Sequence, residues 1–452
     1  MIQQRAVFHQ KNHPQVNQDM RDLAKHALRS LEKRGVTGEI ILRNTTGFSV
    51  TARLGDVETL EHHDEKSFGV TVFHEQCIGS ASSSDWSLNA IDASIEKAVT
   101  IARFSNPDPC AGLADPSRFA KYLPDCDLSH PWSIAPAEAI QLAIECEKKA
   151  CAKDKRIINS DGASVSTLNS QVLYANTAGF LGDYASTEHG VSCSLIAKEK
   201  EEMQRDNAYT VARSATQLWS IDTVASLAAE KTIQRLGARR IKTQHCPIIF
   251  KACIAKSLLS GLVHAISGGN LYRQSSFLLN TLGQKIFPSF VNIFQEPHLL
   301  SAMGSCPFDA EGVETVNQHY VRDGELVSYV LGSYSSRKLG MQSTGNAGGV
   351  FNLSITHSDL TLAKLIQTMG RGLLVTELMG QGVNITTGDY SRGASGFWID
   401  NGEIQFPVEE ITIAGNLKTM FLGIIASAND VDTRGGIRTG SILLDQMTVA
   451  GE

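Results

Sequence analysis

His264 is the side chain best placed, by type and neighbours, to begin a metal site in this chain of 452 residues. It stands in FKACIAKSLLSGLVHAISGGN (250–270), where Ala252, Ala255, Leu258, Leu259, Leu262, Val263 and Ile266 recur at three- and four-residue steps, the period of a buried helix. That period predicts His264 deep in the core. Gly268 and Gly269 lack a Cβ and suit a helix that stops or unwinds just beyond the histidine. A catalytic zinc, however, takes three protein ligands. After His264 come Ala265, Ile266, Ser267 and the two glycines, of which only Ser267 could ligate, and weakly. The residues alone favour a core histidine bonded to a backbone group.

The other chemistry-bearing patterns fall short for stated reasons. Gly393-Ala394-Ser395-Gly396-Phe397 lacks the last glycine of a nucleophile elbow. His245 and Cys246 are adjacent on a strand pattern and point to opposite faces, so they cannot pair as base and nucleophile. Gly345, Gly348 and Gly349 have neither the Lys-Ser/Thr of a P-loop nor the GxGxxG spacing; close backbone packing and a ligand-facing bend explain them equally well. Cys253 and Cys306 read as small core residues. His62, His63 and His74 are expected exposed at strand ends, and KEKEEMQRD (198–206) as a solvated hairpin tip.

These residues need elements to position them. The stretch from Pro14 to Gly35 reads as an amphipathic helix with Met20, Leu23, Ala24, Ala27, Leu28 and Leu31 on one face. Glu39–Ser82 reads as an antiparallel meander with turns at 44–47, 55–56 and 64–67, followed by a helix over Ser87–Phe104 that Pro107-Asp108-Pro109 ends. The order then repeats: a helix from Pro136 to Lys153, a meander over Arg156–Arg213, and a helix over Ser220–Leu236. Asn176-Thr177-Ala178-Gly179-Phe180 echoes Asn44-Thr45-Thr46-Gly47-Phe48, which adds to the case for a duplicated unit. Further on come a hairpin within HYVRDGELVSYVLGSYSSRKLG turning at Asp323-Gly324, a helix over Ser358–Met369, and the hairpin signal Asn401-Gly402. We expect an α+β protein of two domains. Residues 1–220 form helix-plus-antiparallel-meander units, and residues 221–452 a strand-rich curled sheet around the buried helix.

The totals fit that picture. A length of 452 residues exceeds one ordinary core, and a formal charge of -6 gives no general attraction to nucleic acid. Nine cysteines without a CxxC pair match a reduced, cytoplasmic protein. The first residues show no export signal and no stretch reads as a membrane span.

MGQGVNITTGDYSRGASGFWIDNGEIQFPVEEITIAGNLK (379–418), GSYSSRKLGMQSTGNAGG (332–349), NPDPCAG (106–112) and SFLLNTLGQKI (276–286) closely resemble the TldD/TldE peptidase family, across essentially the whole chain and on its TldE-type side. Some members carry the label modulator of DNA gyrase. In that family the TldD-type subunit bears a zinc peptidase site written HExxxH, with a cysteine ligand near the C-terminus. Here His264 matches the first histidine, Ala265 stands at the glutamate and Gly269 at the second histidine, and Thr433–Leu444 holds no cysteine.

The resemblance thus implies a degenerate site at His264, Ala265, Gly268 and Gly269, with no catalytic, cofactor-binding or metal-binding residue of this chain's own. Zinc would belong to a TldD-type subunit in a heterodimer, a homodimer being open to the isolated chain. It also implies a cytoplasmic peptidase acting on unfolded or unstructured peptides, in peptide maturation and antitoxin removal. Two alternatives stay open: a hydrolase active alone through a site not visible in the sequence, and a binding protein without hydrolysis.

Overall fold

The computed structural model describes residues 18–452; the expected helix start between Pro14 and Asn17 lies outside them. The first unit comprises α1 (Gln18–Lys33), β1 (Thr37–Arg53), β2 (Asp56–His74), β3 (Cys77–Ser83) and α2 (Leu88–Phe104). The second repeats it with α3 (Pro136–Cys151), β4 (Ile157–Asn176), β5 (Leu181–Glu199), β6 (Glu202–Ala212) and α4 (Ile221–Gln234). All six strands form one sheet in the order β3-β2-β1-β4-β5-β6, so the two meanders meet through the antiparallel pair β1–β4. The repeated unit is thus visible as a sheet that reads alike from its centre outward.

The echo that suggested it is not. Asn44–Phe48 runs unbroken through the middle of β1, with Gly47 opposite Leu168, whereas Asn176–Phe180 is the β4–β5 turn. The turns expected at 44–47 and 64–67 are likewise absent; the chain reverses at Leu54-Gly55 and Glu75-Gln76, where all four residues take positive φ. His62 and His63 accordingly lie mid-strand in β2, not at its ends.

One face of this sheet carries all four helices. Even-numbered β1 residues point to it, Ile40 and Leu42 against α1 and α2, and Phe48, Val50 and Ala52 against α3 and α4. The opposite face packs Tyr174 and Phe180 against Phe308 and Val313 of the later chain. Glu39 lies on that face, with the Tyr174 hydroxyl donating to it at 2.7 Å. Burial, opposed by that bond and reinforced by the nearby Glu311 charge, raises its pKa to about 7.

A proton held by the folded state above the ordinary pKa of 4.5 makes stability fall as pH rises through the window from 4.5 to about 7. Glu39→Gln should therefore melt higher than the wild type at pH 8 and match it near pH 4. Melting curves at the two pH values decide it, and an equal difference at both would refute the assignment.

The second half contains β7 (Gln244–Phe250), α5 (Ala252–Ala265), α6 (Gly268–Tyr272), β8 (Ile293–Gln295), β9 (Gln318–Arg322), β10 (Glu325–Leu326), α7 (Ser333–Leu339) and β11 (Leu353–Ile355). After them come α8 (Leu362–Met369), β12 (Gly372–Met379), β13 (Asp389–Asp400), β14 (Glu403–Asn416), α9 (Leu417–Leu422), β15 (Ile424–Ser427), β16 (Ile437–Arg438) and β17 (Ile442–Ala450). The Asp323-Gly324 and Asn401-Gly402 turns form as expected, with positive φ at all four residues. SYSSRKL, read as part of a hairpin, is instead the helix α7.

Strands β14-β13-β12-β7-β17 form a sheet that closes on itself through a β14–β17 pairing. Cys246, Ile248 and Phe250 of β7 share a core with Ala255, Leu258, Leu259 and Leu262 of α5, while Ile249 faces the other way, toward Leu365 and Ile366 of α8. This is the curled sheet around a buried helix. Cys246 faces that core and Ser395 lies mid-strand in β13, where no nucleophile elbow forms.

Candidate functional site

The expectation for His264 needs correcting first. Its side chain is exposed, because the buried stripe of α5 runs through Ala255, Leu258, Leu259, Leu262 and Ala265 and leaves Lys256, Ser257, Ser260 and His264 on the other side. A step of one residue turns a helix by about 100°, enough to move a side chain from core to solvent. The ring does bond a backbone group: Nδ1 lies 2.7 Å from the Ser260 carbonyl oxygen, to which it donates.

The two glycines play a different part from the one expected. The chain leaves α5 at Ile266 and restarts with Ser267 as the first-turn boundary of α6, and Gly268 and Gly269 lie inside that short helix. Positive φ is not what Gly268 supplies. A Cβ there would stand 2.3 Å from Ser335 Oγ and 2.4 Å from Ser335 Cβ, so the residue serves the close approach of α6 to α7.

Whether this position fits zinc is a question of donors. One solvent-facing imidazole is present, Ala265 is buried in the core, and Gly268 and Gly269 offer no ligating atom. That set does not fit a zinc centre, which needs three protein ligands. Among the described residues no three His, Cys, Asp or Glu side chains come together as a metal-binding group.

Beside this helix junction, two segments far apart in sequence meet. Tyr334 of α7 stacks edge-on with Tyr272 of α6 at 5.7 Å and donates its hydroxyl to Asp108 at 2.7 Å. Lys338 pairs with the same carboxylate at 2.9 Å. The Tyr334 hydroxyl, then the Cys110 backbone N–H, then Lys338 pull the Asp108 pKa down to about 2, so it stays anionic at neutral pH. The Arg337 guanidinium donates to the carbonyls of Cys110 at 2.9 Å, of Gly112 at 3.0 Å, and of Leu113. The sequence showed NPDPCAG and SYSSRKLG as separate stretches, the first as a helix stop; only tertiary structure brings them together.

A cavity of about 710 Å³ opens near the other end of α5. Its walls are β6, the 299–303 segment, the first residues of α5 and the 430–438 segment. At about 1.5 Å per residue, His264 stands roughly 18 Å along the helix axis from Ala252. Arg434 shapes one wall: it pairs with Asp432 at 2.8 Å, donates to the Tyr209 carbonyl at 2.8 Å, and lies over the rings of Tyr209 at 4.3 Å and Trp219 at 5.1 Å. Nothing in the local pattern of TRGGIRTG foretold this, since the wall is built from segments more than 200 residues apart.

A closed strand-rich half beside a sheet of repeated meanders, with this helix junction between them, defines a class. The chain matches the PmbA/TldA metallopeptidase models for domain 1 over residues 38–102, for the central domain over 129–236 and for the C-terminal domain over 243–451. It belongs to the PmbA/TldA metallopeptidase family. It is 46% identical over 414 residues to Metalloprotease PmbA of Escherichia coli O157:H7, covering 92% of each chain. With the Metalloprotease PmbA homolog of Haemophilus influenzae it shares 43% identity over 436 residues, 96% of each. The same strain holds a Metalloprotease TldD homolog, 22% identical to this chain over 438 residues, 88% of this chain and 89% of the homolog.

Among solved structures, a protein of Bacteroides thetaiotaomicron described as a modulator of DNA gyrase superposes with a TM-score of 0.92 at 27% identity. It covers 97% of this chain and 100% of its own.

Proposed function

We propose that this chain is the partner and peptide-holding half of a cytoplasmic TldD/TldE-type peptidase, whose zinc resides in the TldD-type subunit. The observation that carries this reading is the donor set at the end of α5. An exposed imidazole bonded to Ser260 is followed by a core alanine and by glycines that serve helix packing. Such a set supplies no metal cage, and the alanine that stands at the glutamate position is no general base. The presence of a PmbA homolog and a TldD homolog in one strain supports a two-subunit assembly. No described helix is long and apolar enough to cross a membrane. The substrates of this reading are unfolded or unstructured peptides, held by backbone contacts that tolerate varied side chains.

Two readouts test the assignment of metal to the partner. The purified chain and its His264→Ala variant should show the same metal content by elemental analysis, with a stability difference within about 0.5 kcal/mol, as for surface changes. Mixed with a TldD-type subunit, the chain should elute as an equimolar complex whose zinc content equals that of the TldD-type subunit alone. Stoichiometric zinc in the isolated chain that disappears in the variant would overturn the reading.

A further inference from the structure

The cavity beside β6 holds a charge imbalance that the chain itself does not settle. Lys231 donates to the Asn207 carbonyl at 3.0 Å, and Arg434 is paired with Asp432. Asp430 accepts from the Ser441 N–H at 2.8 Å and the Ser441 hydroxyl at 2.7 Å. Lys251 and Arg438 line the same space, and neither side chain has a hydrogen-bond or ion-pair partner among the described residues. Both are partly buried, so the missing counter-charge leaves each cation short of the anion that would offset its desolvation.

The rest of the lining adds two requirements. Trp219, Leu227, Leu299 and Met303 make part of the wall apolar, so the occupant carries apolar groups beside its anion. β6 is the last strand of its sheet, and its outward groups are marked by the Asn207 and Tyr209 carbonyls, which accept from Lys231 and Arg434. By the alternation of an antiparallel ladder, Val211 also turns its N–H and C=O outward, and no described residue bonds them. A short extended backbone finds a pairing point there.

From these features we infer that the cavity receives the carboxylate of an extended peptide, its carboxyl terminus, between Lys251 and Arg438. The Arg438 guanidinium offers the paired donors that a carboxylate matches, and Lys251 a second positive charge. This rests on the peptide-holding reading above and gives that reading an end-recognition element.

Calorimetric titration of the wild-type chain with one short unstructured peptide in three forms tests it: free acid, C-terminal amide, and the amide with one internal glutamate. The free acid should bind about tenfold more tightly than the plain amide. The glutamate-bearing amide should bind like the plain amide. In the Lys251→Met/Arg438→Gln double variant the preference for the free acid over the plain amide should vanish, and a preference that persists there overturns the assignment to these two residues. A glutamate-bearing amide as tight as the free acid overturns the terminal assignment. Equal binding of acid and plain amide by the wild type overturns carboxylate capture while leaving peptide holding intact, and no binding of any form sinks both.

Discussion

Alanine at Gly268 should destabilise the protein by about 2–3 kcal/mol, the upper part of the range of about 1–3 kcal/mol for forcing a methyl group into a packed site. In an open helix the same change would stabilise by up to about 1 kcal/mol, so even the sign is informative. The clash is specific: the new Cβ would meet Ser335 Oγ at 2.3 Å and Ser335 Cβ at 2.4 Å, with Leu331 Cδ2 at 2.9 Å behind them. Ser335→Gly removes the two nearest atoms, and the Gly268→Ala/Ser335→Gly double variant should recover most of the loss. Urea unfolding of the two single variants and the double variant forms a cycle whose coupling term is expected to exceed 1 kcal/mol. Additive effects would mean that α6 and α7 do not approach as closely as their backbones place them.

Arg337→Ala should cost a similar amount, about 2–3 kcal/mol, for a different reason. One guanidinium serves the carbonyls of Cys110, Gly112 and Leu113, and charge-assisted bonds of this kind contribute more than neutral ones. Removing it leaves three acceptors without their donor and frees the segment that follows α2. Limited proteolysis should then cut within residues 105–120 faster than in the wild type, alongside the loss seen in urea. Lysine at the position should restore little, because a single ammonium cannot reproduce a planar fork reaching three oxygens. Full rescue by Arg337→Lys would show that charge alone holds the segment.

How much of this could be read in advance depends on whether the cause is local. Helix order, the doubled meander and the Asp323-Gly324 and Asn401-Gly402 turns depend on short-range signals, and all appear in the structure. The long first hairpin defeated the same signals. From Asp56 to Ser67 every residue of β2 except His63 is exposed, so the strand has no apolar face and its polar run imitates a turn. Pairing along the whole of β1 sustains it instead. Helix α7 is seven residues long without an apolar stripe, and Arg337 and Tyr334 anchor it through bonds to a segment some 225 positions away.

The candidate site divides in the same way. The identities at His264, Ala265, Gly268 and Gly269 were legible, and with them the shortage of ligands. The exposure of His264 was not, because the apolar period left its place on the helix surface open by one step. The reason for Gly268 lies in a helix it meets only after folding, and the cavity at Lys251 and Arg438 lies between segments that no local pattern joins.

Cleavage of an unstructured polypeptide by the purified chain, by a TldD-type subunit, and by their equimolar mixture in one buffer tests the central claim most directly. The partner reading predicts chelator-sensitive cleavage by the mixture, exceeding that of the TldD-type subunit alone, and none by this chain. Cleavage by the purified chain alone, lost on adding chelator, would contradict it.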